Sequence, residues 1–202
     1  KKSYGNNAKE KANREAAITK EAEMLKHIYD FGVYGVLEKT NFKTEHGSNV
    51  RGMPEVVGVW DDMIVTRFYE RPLDALLDSP KFTSFVGGSH AIGVIKSLVG
   101  ALMWLHEKGV THCDVKPGNV MCQQGTKIGD VIGILIDFGS AAKGEVDRVT
   151  QDSTPLYLAP HMRYTLVESY PFSGCRPESR ICTLAELMRA DAYALGLVAW
   201  EL

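Results

Sequence analysis

The segment His112-Cys113-Asp114-Val115-Lys116-Pro117-Gly118-Asn119, with Ile134-Leu135-Ile136-Asp137-Phe138-Gly139 after it, decides how this 202-residue chain is read. In the first segment an acid, a cation and an amide fall within six residues, directly after a helix stop and before a strand. Charges in such a loop are costly unless they meet one another or a ligand. Pro117 and Gly118 fix the turn, so Asp114, Lys116 and Asn119 can converge on one point as a base, a phosphate-binding cation and a metal-binding carbonyl oxygen. A polar surface turn uses the same residue types, and the loop alone leaves both readings open. In the second segment a carboxylate ends a strongly apolar strand, and Gly139 lets the chain bend sharply. A half-buried Asp137 needs a partner, and Mg2+ is a natural one because it takes hard oxygen ligands shared with nucleotide phosphates. A strand-end Asp that caps the next turn is the alternative.

Working outward, Ala91 to His106 places Ile92, Ile95, Leu98, Leu102 and Leu105 on one stripe, and Gly109 follows as a stop, which predicts a helix. Ala8 to Ile28 is rich in Ala, Glu and Lys, with Ile18, Ala22, Leu25 and Ile28 at helical spacing, so an amphipathic helix is expected. Glu21 falls on its apolar stripe whereas Glu23 projects elsewhere. An inward carboxylate wants a cation; a solvated Glu on a charged helix is the other reading. Residues 40–52 are polar and predict an exposed insertion. Glu55 to Trp60 and Met63 to Phe68 read as two strands joined at Asp61-Asp62, and Val120 to Cys122 with Ile132 to Asp137 as a second hairpin turning at Gln123-Gln124-Gly125. An irregular stretch to Pro160 precedes helical patterns at Thr183 to Ala190 and Asp191 to Leu202, with no internal repeat. Strands dominate the first third and helices the remainder, which predicts an α+β protein with two unequal lobes.

Lys+Arg 23 against Asp+Glu 25 leaves a formal charge of −2, and 45% of the chain is apolar, which excludes disorder, collagen and coiled coil. The near-neutral balance lacks the broad positive field of a non-specific nucleic-acid binder. The longest apolar stretch, Ala91 to Leu105, is interrupted by Lys96 and Ser97 and falls short of the roughly 20 residues that cross a bilayer, so no membrane span is expected. Cys113, Cys122, Cys175 and Cys182 form no CxxC pair, which points to a reducing compartment and an intracellular, cytoplasmic protein. His27, His46, His90 and His106 show no metal-ligand spacing and read as structural or solvated. The first residue is Lys and no apolar signal core follows, as expected of a segment of a longer chain.

HCDVKPGN followed by IDFG resembles the catalytic and metal-binding loops of the eukaryotic protein kinase superfamily. Ser153-Thr154-Pro155-Leu156-Tyr157-Leu158-Ala159-Pro160 is similar to the end of a kinase activation segment, and Asp191-Ala192-Tyr193-Ala194-Leu195-Gly196 to the buried helix that follows it. The resemblance runs along the whole chain and is specific from His112 onward. It implies an α+β, protein-kinase-like two-lobe fold, with a partial β-rich N-lobe over residues 1–66, a hinge over 67–70 and an incomplete, mainly helical C-lobe over 71–202. It implies a serine/threonine protein kinase that transfers the γ-phosphoryl group of ATP to a protein hydroxyl. Asp114 is then the base, Lys116 steadies the phosphoryl group, and Asn119 and Asp137 hold Mg2+. Thr154 is similar to the Thr that bonds the catalytic loop, and with Lys116 it favours Ser/Thr acceptors. Glu21 would pair with a strand lysine holding the α and β phosphates, either Lys1 or Lys2, of which Lys2 is carried forward. Thr66 would be the gatekeeper beside adenine, and the backbone of Arg67 to Tyr69, Phe68 included, would read the base.

Cys113 replaces the arginine usual before the catalytic Asp, a residue that normally pairs with a phosphate on the activation segment. Phosphorylation at Thr150, Ser153 or Tyr157 would lose that partner, so constitutive or partner-controlled activity is expected. His161 stands where the family has a Glu after Ala-Pro, which puts that ion pair in question. The glycine-rich loop and the helices expected after Leu202 are not in this sequence, so the segment by itself is expected to be inactive or unstable. Two alternatives share the motifs. A small-molecule phosphotransferase resembling the aminoglycoside and choline kinases has an HxDxxxxN loop, but Lys116 and the Thr154 to Pro160 segment argue against it. A catalytically silent pseudokinase scaffold would generally lose one of the residues matching Asp114, Asn119 or Asp137, and all three are present.

Overall fold

Helix α1 (Gly5–Tyr29) turns Ala22, Leu25, Ile28 and Tyr29 inward, each nearly fully buried, while residues 10–18 are exposed. The amphipathic character expected along its length is therefore confined to its last third, where it meets the core. The computed structural model describes residues 5–29, 50–60, 63–69, 71–78, 88–125, 130–145, 154–162 and 182–202. Lys1, Lys2, most of the 40–52 insertion, Asp61-Asp62, Ser153 and Cys175 lie outside them.

Strands β1 (Val56–Val59) and β2 (Ile64–Thr66) form the expected first hairpin, each shorter than the sequence suggested. They pair antiparallel with Val59 opposite Ile64 and Val56 opposite Thr66, and a bulge falls between Val56 and Gly58. With α1 they make the smaller, β-rich lobe.

The larger lobe is built on helix α3 (Ser89–Glu107), entered through strand β3 (Arg71–Pro72) and the short helix α2 (Leu73–Leu77). Its predicted stop is confirmed: Gly109 takes φ +69, a left-handed conformation that glycine adopts without steric cost. Strands β4 (Val110–Thr111), β5 (Val120–Gln124), β6 (Val131–Leu135) and β7 (Ala142–Lys143) follow. β5 pairs with β6 and β3, and β4 with β7, all antiparallel. Gln123 and Gln124 pair with Ile132 and Val131, so the second hairpin turns later than expected. β6 ends at Leu135, two residues before Asp137. The two helical patterns near the end merge into one helix, α4 (Leu184–Glu201), whose start is fixed by a reciprocal capping box between Thr183 and Glu186. No helix among the described residues is long and apolar enough to cross a membrane.

Small residues let α3 lie close on β6. A Cβ on Gly133 would stand 2.8 Å from Val94 Cγ1, and one on Gly93 2.5 Å from the Val131 carbonyl. Ser97, 1% exposed, accepts a hydrogen bond from Gly133 N at 2.9 Å and donates to the helix carbonyls behind it. The same layer grips the smaller lobe. Leu135 N donates to the Gly52 carbonyl at 2.8 Å, and Gly52 (φ +92) packs so tightly that an added Cβ would fall 2.1 Å from the Ser97 carbonyl oxygen. Val50 and Gly52 are consequently buried, so the end of the predicted insertion belongs to the core rather than to solvent. The architecture is a two-lobe α+β fold of the protein-kinase kind.

Gly144 supplies a control for this contact, because its φ is +70 with nothing within 4 Å of an added Cβ. Gly144→Ala should cost only the left-handed strain of about 1–2 kcal/mol. Gly52→Ala should cost about 3 kcal/mol or more, because overlap with helix backbone adds to the same strain. Urea unfolding measures both; equal losses would show that residues 50–54 do not bear on α3.

Candidate active site

The chain leaves β4 into the loop at His112, which is fully buried. Burial lowers its pKa, so the ring is neutral. Nε2 donates to the Ile136 carbonyl at 3.1 Å, Nδ1 accepts from Asp114 N at 3.4 Å, and the ring packs edge-on to Phe138. Cys113 adopts φ +64, in the left-handed region that a non-glycine residue occupies only at a cost. Asp191 of α4, 1% exposed, meets that cost: its carboxylate accepts from His112 N at 2.9 Å and Cys113 N at 2.8 Å and pairs with His106 Nε2 at 2.9 Å. His106 thus has the structural place expected of it.

Held this way, Asp114 sits at the centre of the predicted convergence. Its Oδ2 accepts from Lys116 Nζ at 2.7 Å and Asn119 Nδ2 at 2.9 Å. Its Oδ1 accepts from Thr154 N and Thr154 Oγ1, both at 3.2 Å, and Lys116 Nζ also donates to Thr154 Oγ1 at 2.8 Å. Desolvation pushes the Asp114 carboxyl upward, but Lys116, the Thr154 N–H and Asn119 together outweigh it and hold the group below the usual carboxylate range. The 154–162 segment is tied to α4 by Tyr157, whose hydroxyl donates to Glu201 at 2.6 Å, and by His161 against the Glu186 carbonyl at 3.4 Å.

Asn119 and Asp137 stand at adjoining strand ends. Ile136 N donates to the Asn119 carbonyl at 2.9 Å, one step beyond the Val120–Leu135 pair. The left-handed bend falls on Asp137 itself (φ +64) and not on Gly139, and the carboxylate is exposed rather than half-buried. Asp tolerates this conformation because its short side chain bonds locally, here accepting from Gly139 N at 3.2 Å. Because Asn119 Nδ2 faces Asp114, its carbonyl oxygen faces away. An amide oxygen and an open carboxylate suit Mg2+, which keeps water and phosphate oxygens as its remaining ligands. Among the described residues no cluster of three His, Cys, Asp or Glu side chains is placed to hold a metal by itself.

Glu21 reaches across from α1, and its Oε1 accepts from Phe138 N at 3.0 Å. Burial raises its pKa, the Phe138 bond opposes this, and neighbouring Asp137 raises it further. Its expected lysine partner lies outside the described residues. Between the lobes is a cleft of about 390 Å³, walled by Glu21, Val56, Thr66, Phe68, Ile136 and Asp137 among others, within the size range of small-ligand sites. Thr66 and Phe68 both line it, and Phe68 is 83% exposed. Sequence reasoning missed the bracing by Asp191 and the Tyr157–Glu201 contact. The signal for Asp191 was present: it shares a stripe with Leu187, Ala194 and Val198, where a carboxylate needs donors.

The Asp114 environment makes a pH prediction. A depressed carboxyl contributes stability that is complete above its unfolded value, about 3.9, and is lost as pH falls through the folded value. A 13C-detected titration of Asp114 should have its midpoint below the ordinary carboxylate value of about 3.9, and Lys116→Met should move that midpoint upward. A Lys116→Met midpoint equal to that of the unsubstituted protein would dissociate Lys116 from Asp114.

A model of the family described as "Protein kinase domain" matches residues 62–169, just over half of the chain. The chain is 26% identical over 163 residues to serine/threonine-protein kinase TIO of Arabidopsis thaliana, covering 79% of this chain and 10% of that protein. It is 29% identical over 119 residues to serine/threonine-protein kinase chk-2 of Caenorhabditis elegans, covering 54% of this chain and 24% of that protein. It is 34% identical over 90 residues to inhibitor of nuclear factor kappa-B kinase subunit epsilon of Mus musculus, covering 44% and 12%. The chain thus spans at most a quarter of these relatives' own length. With the two-lobe fold, the loop braced on α4 and a match of this extent, the chain belongs to the protein kinase domain family.

Proposed function

We propose that this chain carries the phosphoryl-transfer centre of an ATP- and Mg2+-dependent serine/threonine protein kinase, with residues 1–66 as the N-lobe part, 67–70 as the hinge and 71–202 as the C-lobe part. The observation that carries the reading is the closed set of bonds among Asp114, Lys116, Asn119 and Thr154. Thr154 joins the loop to the segment that a protein acceptor would lie against, and a loop serving small alcohols has no need of such a segment. Relatives whose names specify serine/threonine-protein kinase agree with this acceptor class.

Asp114 is ionised at neutral pH and accepts a hydrogen bond from the acceptor hydroxyl, which aligns the oxygen for attack. Held below the ordinary range, it is a weak base, so the proton transfers to it only as the new O–P bond forms. Lys116 offsets charge gathering on the phosphoryl oxygens. Asn119 and Asp137 would hold Mg2+, which supplies charge neutralisation between the β and γ phosphates. Thr66 and residues 67–69 border the adenine end of the cleft, Glu21 its phosphate end, with Lys2 as the proposed cation beside Glu21.

Activation in this reading does not depend on a loop phosphate. Cys113, in the position of the family's arginine, turns its thiol to Thr111 Oγ1 at 3.2 Å, and burial pushes that thiol up to about 12. It is neutral and offers no cation to a phosphate at Thr150, Ser153 or Tyr157.

Phosphate transfer from labelled ATP with Mg2+, measured on the full-length protein against protein substrates and a panel of small alcohols, tests the reading. Label on protein Ser or Thr is expected, with Asp137→Ala reducing the rate by about 100-fold or more. Label confined to small alcohols, or Mg2+-dependent ATP binding without transfer, would overturn it.

A further inference from the structure

The peptide between Pro54 and Glu55 is gripped at both polar ends by tyrosine hydroxyls arriving from different elements. Tyr29, the last residue of α1, donates to the Pro54 carbonyl at 2.9 Å, and Glu55 N donates to the hydroxyl oxygen of Tyr69 at 2.7 Å. Both rings are buried, at 1% and 9% exposure, and Tyr29 packs on Trp104 of α3 with centroids 5.8 Å apart. Glu55 also bonds residue 67 twice: its carbonyl accepts from Arg67 N at 2.9 Å, and its carboxylate pairs with the Arg67 guanidinium at 3.2 Å. The ion pair is more than half exposed on both sides and adds little.

Arg67 and Phe68 are exposed, and Tyr69 is the one buried side chain of residues 67–69. They line the interlobe cleft and also a second cavity of about 540 Å³ bounded by Arg71, Cys122 and Gln123 among others. Where it borders these cavities the segment has less packing against it, and its bonds to Glu55 tie it to the peptide that Tyr29 holds.

We propose that Tyr69 is a positioning residue for nucleotide binding: its hydroxyl, through the Pro54–Glu55 peptide and Tyr29, locks residues 67–69 to helix α1. One peptide then sets both the backbone that reads the adenine and the helix that carries Glu21. This inference rests on the cleft being the ATP site.

Tyr69→Phe in the full-length protein keeps the ring and removes the hydroxyl. Its KM for ATP and its Kd for adenosine should rise by about tenfold, with kcat falling much less, as expected for loss of one part-buried hydrogen bond. Hydrogen exchange at the Glu55 amide should accelerate while that at Val59 is unchanged. Tyr29→Phe should raise KM in the same direction, and the double variant should show less than the product of the two effects. An unchanged KM, or a loss of kcat and thermal stability at constant KM, would overturn the proposal. Failure of the unsubstituted protein to bind ATP, with the Glu55 exchange effect intact, would instead overturn the reading of the cleft.

Discussion

A buried carboxylate organises this molecule. Asp191 is almost completely removed from water, where an unpaired charge would cost several kcal/mol, roughly, and its two oxygens are satisfied by the main chain of residues 112 and 113 and by His106. The exchange is reciprocal. The carboxylate needs those donors, and the left-handed backbone at Cys113, a strain of about 1–2 kcal/mol, needs an anchor of this strength. Release of either would let the other relax, and with it the direction of Asp114. The capping box at Thr183 matters for the same reason, since it fixes where α4 begins and so where Asp191 stands.

The loop that Asp191 braces is satisfied from within. Among the described residues, the polar contacts of the Asp114 carboxylate come from residues whose backbone is itself constrained: Lys116 before a proline, Asn119 in a 3-10 turn, and Thr154 in a segment tied to α4. Such preorganisation is what electrostatic catalysis demands, because dipoles already aimed at the reacting centre do not reorganise during transfer. Asp137, proposed above to hold Mg2+ with Asn119, is built differently. Its carboxylate is exposed and, among the described residues, accepts a local bond from Gly139 N, which leaves it open to a ligand from the cleft.

What the sequence made legible follows from how far apart the partners lie. Asp114, Lys116 and Asn119 are neighbours on one turn, so their convergence could be read from residue types and a Pro-Gly pair. Helix α3 announced itself through five apolar residues at helical spacing. The Asp191 contacts span 78 and 79 residues and the Tyr157–Glu201 bond 44, and no local pattern encodes such a distance. The two-residue strands β3, β4 and β7 are too short to show any alternation. The bend at Asp137 was misplaced onto Gly139 because glycine is the usual left-handed residue, while here the side chain of Asp137 stabilises that conformation itself. The two halves of helix α4 looked separate because Asp191 interrupts its apolar stripe, the same residue that gives the helix its purpose.

The bond between Gly52 and Leu135 has a kinematic meaning. It is a second tie between the lobes besides the chain through residues 67–69, three residues from Phe138, the partner of Glu21, so a rigid opening that keeps both ties turns about the line between them. Points near an axis travel little. Groups beside that junction, the Glu21–Phe138 bond among them, therefore move little in such a swing.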